Sequence, residues 1–236
     1  MSVVIMFFAG LAAFAGWWLA RQRLTAKPWL EQGVIEGVPD FEASHDPAKR
    51  AGLGFFLAVV GSLFALLTGA YFMRRELGDW RPLPVPGILW FNTGALVLSS
   101  LALEWAQRAV RRSDQSQLRL GLAVAALFAL LFLGGQLIAW QELSAAGYYV
   151  AGNPANSFFY LVTALHGLHI LGGLVALGWA MLKAWGRGSV ESVRLNVELC
   201  ATYWLFMLFV WMVLFSLLAG WASEFVAFCQ QLIGGA

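Results

Sequence analysis

The sequence is poor in charge. Only 12% of its 236 residues are Asp, Glu, Lys or Arg, about half of what a soluble domain carries to keep its surface wet. Hydrophobic residues make up 60% of the chain, so lipid has to cover much of the exterior. Cysteine is scarce as well. Cys200 and Cys229 lie near opposite ends of the last apolar run. That spacing places them at opposite membrane faces and excludes a disulfide between them. No cysteine–histidine cluster has the spacing of a zinc site. Basic residues do not interleave with aromatics in a patch, which excludes nucleic acid as a partner.

Long uncharged runs, in contrast, are abundant. A helix crosses the hydrocarbon of a bilayer with about 20 apolar residues. Six segments qualify: Met1–Ala20, Gly52–Met73, Leu83–Leu103, Leu120–Gln141, about Asn156–Leu182, and Leu199–Ser223. Pro84 and Pro86 are expected to set the start of the third. GYYVAGNPANS interrupts the long uncharged stretch after Leu143 and leaves a loop before the fifth. Twelve tryptophans suit the headgroup level. Met1–Ala20 reads as an uncleaved span, because its basic cluster follows the apolar run where a signal peptide's precedes it. The expected fold is an all-α membrane protein of six transmembrane helices: an N-terminal span over 1–20, a cytoplasmic-side polar loop over 21–50, a five-helix core over 51–223, and a short outer-side tail over 224–236.

Lysine and arginine set the orientation. Arg21, Arg23, Lys27, Lys49, Arg50, Arg108, Arg111, Arg112, Arg119, Lys183, Arg187 and Arg194 fall on one side of such a six-span chain. Arg74, Arg75 and Arg81 fall on the other. Twelve against three places both termini outside. Acidic residues between Glu31 and Asp46 mark loop 21–50 as solvated.

Helices in lipid associate through close packing of small residues, since lipid tails are as apolar as leucine. Stripes at four-residue spacing run along Gly61–Ala65–Gly69, Gly121–Ala125–Ala129 and Gly172–Ala176–Ala180–Ala184. Gly167 and Gly173, on the same helix as the last stripe, also let neighbouring helices come close. The expected packing glycines are thus Gly61, Gly69, Gly167, Gly172 and Gly173. A transporter would need carboxylates or lysines at mid-depth. Glu104, Glu142, Glu198 and Glu224 all sit at span ends instead, and Glu104 is placed to pair with Arg108 one turn on.

His166 and His169 are ionisable groups inside an apolar segment, on one helix face. Metal or haem ligation, a proton relay, and neutral rings bonding across helices are the open readings. No third ligand and no carboxylate at matching depth accompanies the pair, which favours hydrogen bonding. Ser99, Ser100, Thr68, Tyr203 and Gln136 are the available partners. His166, His169, Glu104, Glu198, Gln136 and Tyr203 are therefore the expected polar structural sites, with no catalytic, cofactor-binding or metal-binding residue in the chain.

These residues carry a resemblance. FYLVTALHGLHILGG (Phe159–Gly173) resembles the HGLH helix in subunit III of haem–copper terminal oxidases, the cytochrome c oxidase subunit 3 family. Leu57–Phe72 resembles the family's first core helix. Asn92, Thr93, Ser99, Ser100 and Glu104–Trp105–Ala106 resemble the next. Gly135–Leu143 resembles the end of the third, and Glu198 with Tyr203–Trp204 and Trp211 resembles the last. The resemblance covers roughly 51–222 and implies a divergent bacterial-type short form: a five-helix core preceded by one extra span. It implies a non-catalytic subunit that stabilises the catalytic one, supports proton uptake and prevents inactivation. It implies no haem or copper in this chain, and three histidines are too few for such a centre. It further implies bound phospholipid, catalytic subunit I and subunit II as partners (in some cases within a supercomplex), and a bacterial plasma membrane. The sequence departs from the family at Val59 and Val60, where a serine followed by a glutamate is usual, and at Leu205 and Leu208, where a histidine and an aspartate are usual. The competing expectations are an accessory subunit of a nitric oxide reductase, an independent membrane channel or transporter, and a haem-b carrier.

Overall fold

The computed structural model describes residues 45–186 and 190–221. The expected span 1–20, most of the loop 21–50 and the tail from residue 222 lie outside the described residues. Five helices follow in order: α1 His45–Arg75, α2 Ile88–Arg111, α3 Gln115–Ala145, α4 Pro154–Trp185 and α5 Val190–Leu218. Each is long and apolar enough to cross a membrane. The chain divides into two compact units within α1, the first ending at Gly69 and the second starting at Ala70.

In the first unit, Leu57, Val60, Phe64 and Thr68 are buried along one face of α1, while Phe55, Val59 and Leu66 are exposed. The three- and four-residue steps make a single helical stripe. Gly61 and Gly69, expected as packing glycines, are both half-buried.

In the second unit, α2 packs on α3 and α5, and α4 packs on α3 and α5. These four contacts close a ring of helices. The α2–α3 seam is built from small residues. A Cβ added to Gly121 would sit 2.9 Å from the Ala106 Cβ and 3.1 Å from the Ala102 carbonyl oxygen. Ala125 and Ala129 continue the stripe and are fully buried. Backbones that approach this closely gain dispersion contacts that lipid cannot replace.

The helices overrun the apolar segments at several ends. The sequence places the start of α2 at its prolines, but Pro82, Pro84 and Pro86 all precede the helix, which begins at Ile88. A residue before proline is driven out of the α region, so alternating prolines keep a helix from starting among them. The start of α5 moves the other way, to Val190 rather than Leu199, because a helix can lengthen past the hydrocarbon into headgroups. Asn153 caps α4 by accepting from the Ala155 amide, and Pro154 occupies the first turn where no N–H is needed. The Asn153 amide also donates to the Arg81 carbonyl at 2.6 Å, tying α4 to the proline-rich connection. α3 ends where Gly147 adopts φ +86° and the Tyr148 amide bonds the Leu143 carbonyl at 2.9 Å. This left-handed closing turn suits glycine.

At the arginine-rich ends, Arg119 Nε and Gln115 Nε2 both donate to the Ala184 carbonyl, at 2.9 and 3.3 Å. They satisfy a carbonyl that the end of α4 leaves open. The α2–α3 turn holds Ser113 at φ 55°, and Asp114 caps α3 by accepting from the Ser116 and Gln117 amides. Hydrogen bonds from Gln117 and Ser116 hold the Asp114 carboxyl below the usual aspartate range. Its capping contribution is therefore complete above the ordinary value and is lost as pH falls through the lowered one. On acidification, amide exchange at residues 115–118 should rise before exchange in the helix centres, and Asp114→Asn should remove that pH dependence.

Candidate functional site

The histidine helix α4 takes part in a seam of ring and hydrogen-bond contacts. The His166 ring is fully buried. It packs against Phe132 of α3 and Trp211 of α5, with ring centroids 5.6 and 5.1 Å apart. His169 Nδ1 lies 2.7 Å from the Leu165 carbonyl of its own helix. A carbonyl only accepts, so Nδ1 carries the proton there. Tyr203 bridges helices at this level, its hydroxyl donating to the His169 carbonyl at 2.7 Å. Tyr203 thus reaches the backbone of the histidine helix.

Ser99, Ser100 and Gln136 make bonds of their own. Ser99 Oγ donates to the Ala125 carbonyl at 2.8 Å and accepts from Trp204 Nε1 at 2.9 Å, joining α3, α2 and α5. Ser100 Oγ turns back to the Leu96 carbonyl. Gln136 accepts from the Asn92 amide at 3.4 Å, across the α2–α3 seam. Two further indole–hydroxyl pairs repeat the Trp204–Ser99 device: Trp211 Nε1 to Thr93 Oγ1 at 2.9 Å, and Trp140 Nε1 to Thr163 Oγ1 at 3.1 Å. An indole N–H must find an acceptor once it is buried, and a hydroxyl can accept while donating onward. Tryptophan favours the headgroup level, yet Trp204 and Trp211 are both fully buried. Their spacing of seven residues on one face of α5 was the available signal; the two hydroxyls they reach, Thr93 and Ser99, are six residues apart on α2.

Glu104 and Glu198 each have an arginine one turn away on the same helix. Glu104 Oε2 is 2.7 Å from Arg108, and Glu198 Oε1 is 3.2 Å from Arg194.

The glycines separate sharply. At Gly173 an added Cβ would stand 2.6 Å from Tyr203 Cε1 and 2.8 Å from Trp204 Cζ3. Gly167 faces Leu133 at an ordinary 3.6 Å, and Gly172 faces nothing within 4 Å. The expected stripe Gly172–Ala176–Ala180–Ala184 is thus corrected. Its first two members are exposed, and only Ala180 and Ala184 are buried. A four-residue step advances a straight helix by 40° beyond a full turn, so the stripe winds from the exterior into the bundle. Gly135 was missed, although it is as constrained as Gly173: a Cβ there would collide with the Asn92 carboxamide.

Of the positions where the sequence departs from its resemblance, Val60 is buried, Val59 and Leu205 are exposed, and Leu208 is half-buried. Among the described residues, no three His, Cys, Asp or Glu side chains gather where they could hold a metal ion. Chemically, the seam joins helices.

The model of one protein family, cytochrome c oxidase subunit III, matches residues 24–223. The chain is similar to cytochrome c oxidase subunit 3 of Thermostichus vulcanus, with 28% identity over 200 residues, covering 79% of this chain and 96% of the relative. The corresponding protein of Synechocystis sp. is 29% identical over 182 residues, 73% of this chain and 76% of the relative. That of Oryctolagus cuniculus is 26% identical over 223 residues, 87% of this chain and 82% of the relative. With the matched region spanning all five described helices and the polar seam between them, the chain belongs to the cytochrome c oxidase subunit III family.

Proposed function

We propose that this chain is the non-catalytic, integral-membrane subunit III of a haem–copper respiratory oxidase, whose complex passes electrons to O2 and forms water. The observation that carries this reading is the family match across residues 24–223, which takes in the HGLH helix and the tyrosine–tryptophan pair that packs on it. The subunit binds no redox centre itself; haem and copper belong to its partner. It assembles with catalytic subunit I and with subunit II, stabilises subunit I and supports its proton uptake. With Val60, Leu205 and Leu208 apolar, that support works by holding the catalytic subunit in shape, not by passing protons through this bundle. His166, His169, Gln136 and Tyr203 serve as polar joints, and Glu104 and Glu198 as interfacial ion-pair members.

In this reading the chain has six spans, with residues 1–20 forming the first, and sits in a bacterial plasma membrane with both termini outside. The lysine and arginine asymmetry supports that orientation. Phospholipid fills the space beside the core. The test is purification in mild detergent through a tag on this chain. A large multi-span partner with a haem absorption spectrum is expected to come with it. Recovery of a haem-free homo-oligomer would refute the proposal, as would a Soret band from this chain alone.

A further inference from the structure

The α3–α4 connection shapes a feature that the oxidase role does not use. Leu137, Trp140, Gln141 and Ser144 of α3 form one wall of a recess of about 300 Å³. Tyr149 and Val150 of the connection and Tyr160 of α4 form the other. This volume is at the low end for small-ligand sites and holds a single ring-sized group.

Three properties of the lining define what fits. No charged side chain takes part. Trp140 and Tyr160 have committed their polar tips inside the protein, to Thr163 at 3.1 Å and to the Tyr148 carbonyl at 3.0 Å. What they offer the recess is ring surface. The Gln141 carboxamide and the Tyr149 hydroxyl, in contrast, bond no other described residue, and both side chains are exposed.

Depth adds a further constraint. Leu130 and Leu137 are exposed on α3 at lipid-facing positions. Gln141 and Ser144 follow within the next two turns. The hydrocarbon therefore gives way to headgroups at the recess itself.

We propose that this recess binds the uncharged, hydroxyl-rich headgroup of a membrane glycolipid, its sugar ring laid against Trp140, Tyr149 and Tyr160. An aromatic face carries partial negative charge and attracts the polarised C–H bonds on one side of a sugar ring. A carboxamide and a phenol can both donate to and accept from sugar hydroxyls. A phosphate headgroup would call for a lysine or arginine, and none lines the recess. Exposed Leu137 continues the wall towards the acyl region, which selects a lipid over a free sugar.

This inference rests on the proposed membrane complex, so both are read from one sample. The intact complex is purified without sugar-headed detergents. It is then placed in nanodiscs holding equal amounts of a galactosyl diacylglycerol and a phosphatidylglycerol with the same acyl chains. Native mass spectrometry counts the lipids retained on this chain, and the absorption spectrum of the same sample reports the haem-bearing partner. Galactolipid is expected to be retained about tenfold over phosphatidylglycerol, falling to parity in the Gln141→Ala/Tyr149→Ala double variant, as the loss of two neutral hydrogen bonds would give. Equal retention on the unmodified chain, preference for phosphatidylglycerol, or an unchanged preference in the double variant would overturn the proposal. A missing haem spectrum would instead count against the oxidase reading.

Discussion

Trp211→Ala is expected to destabilise the bundle by about 3–5 kcal/mol, the range for truncating a fully buried aromatic. The ring lies edge-on to Phe132 at 4.8 Å and stacks on Phe215 at 6.5 Å, and it covers His166 at 5.1 Å. Its indole N–H reaches Thr93 Oγ1 at 2.9 Å. The substitution opens a cavity among α3, α4 and α5 and removes a bond between α5 and α2. Trp211→Phe should recover most of the loss, because it keeps a ring in place. The remainder, on the order of 1 kcal/mol, measures the hydrogen bond in a lipid setting. Denaturation in mixed SDS micelles, followed by helical circular dichroism, separates the two. If Trp211→Ala unfolded at the same detergent fraction as the parent chain, the aromatic cluster would not be what joins these helices.

Gly173→Ala should cost about 1–3 kcal/mol, the range for overpacking a filled site. The new methyl would stand 2.6 Å from one ring and 2.8 Å from another. Neither ring can yield easily: Tyr203 is held through its hydroxyl to the His169 carbonyl, and Trp204 through its indole to Ser99. Gly172→Ala, one residue away, should be neutral or stabilising by up to about 1 kcal/mol. Its methyl would meet nothing within 4 Å, and alanine favours a helix over glycine by that amount. The opposite signs at adjacent glycines make a sharp test. The same SDS titration, read together with the yield of haem-bearing partner on the tagged chain, shows whether the α4–α5 seam matters to assembly. Equal behaviour of the two variants would refute the packing assignment.

The Gly172–Gly173 pair also marks where sequence reasoning stopped. Both glycines belong to HGLHILGG and both suit close helix approach, so spacing alone grouped them. Their 100° separation around α4 sends one outward and the other onto Tyr203 and Trp204. Trp204 and Trp211 show the same limit. Composition assigns tryptophan to the headgroup layer, and that preference is overridden once a buried hydroxyl is within reach of the indole. Ser99 and Trp204 are 105 residues apart, and Thr93 and Trp211 are 118 apart. No local pattern connects them.

What the sequence determined by itself follows from quantities summed along the chain. Uncharged runs of about 20 residues dictate apolar membrane-spanning helices, and five of the expected spans correspond to α1–α5. The asparagine–proline pair at 153–154 sets the start of α4. The HGLH helix and the spacing of Glu198, Tyr203, Trp204 and Trp211 carry the family. Only the tertiary structure decided which small residues touch, which hydroxyl each indole finds, and that Tyr203 reaches the histidine helix through a backbone carbonyl. Those outcomes depend on how each helix is rotated about its axis against the next. That rotation is set by side chains far apart in sequence packing together at van der Waals distance.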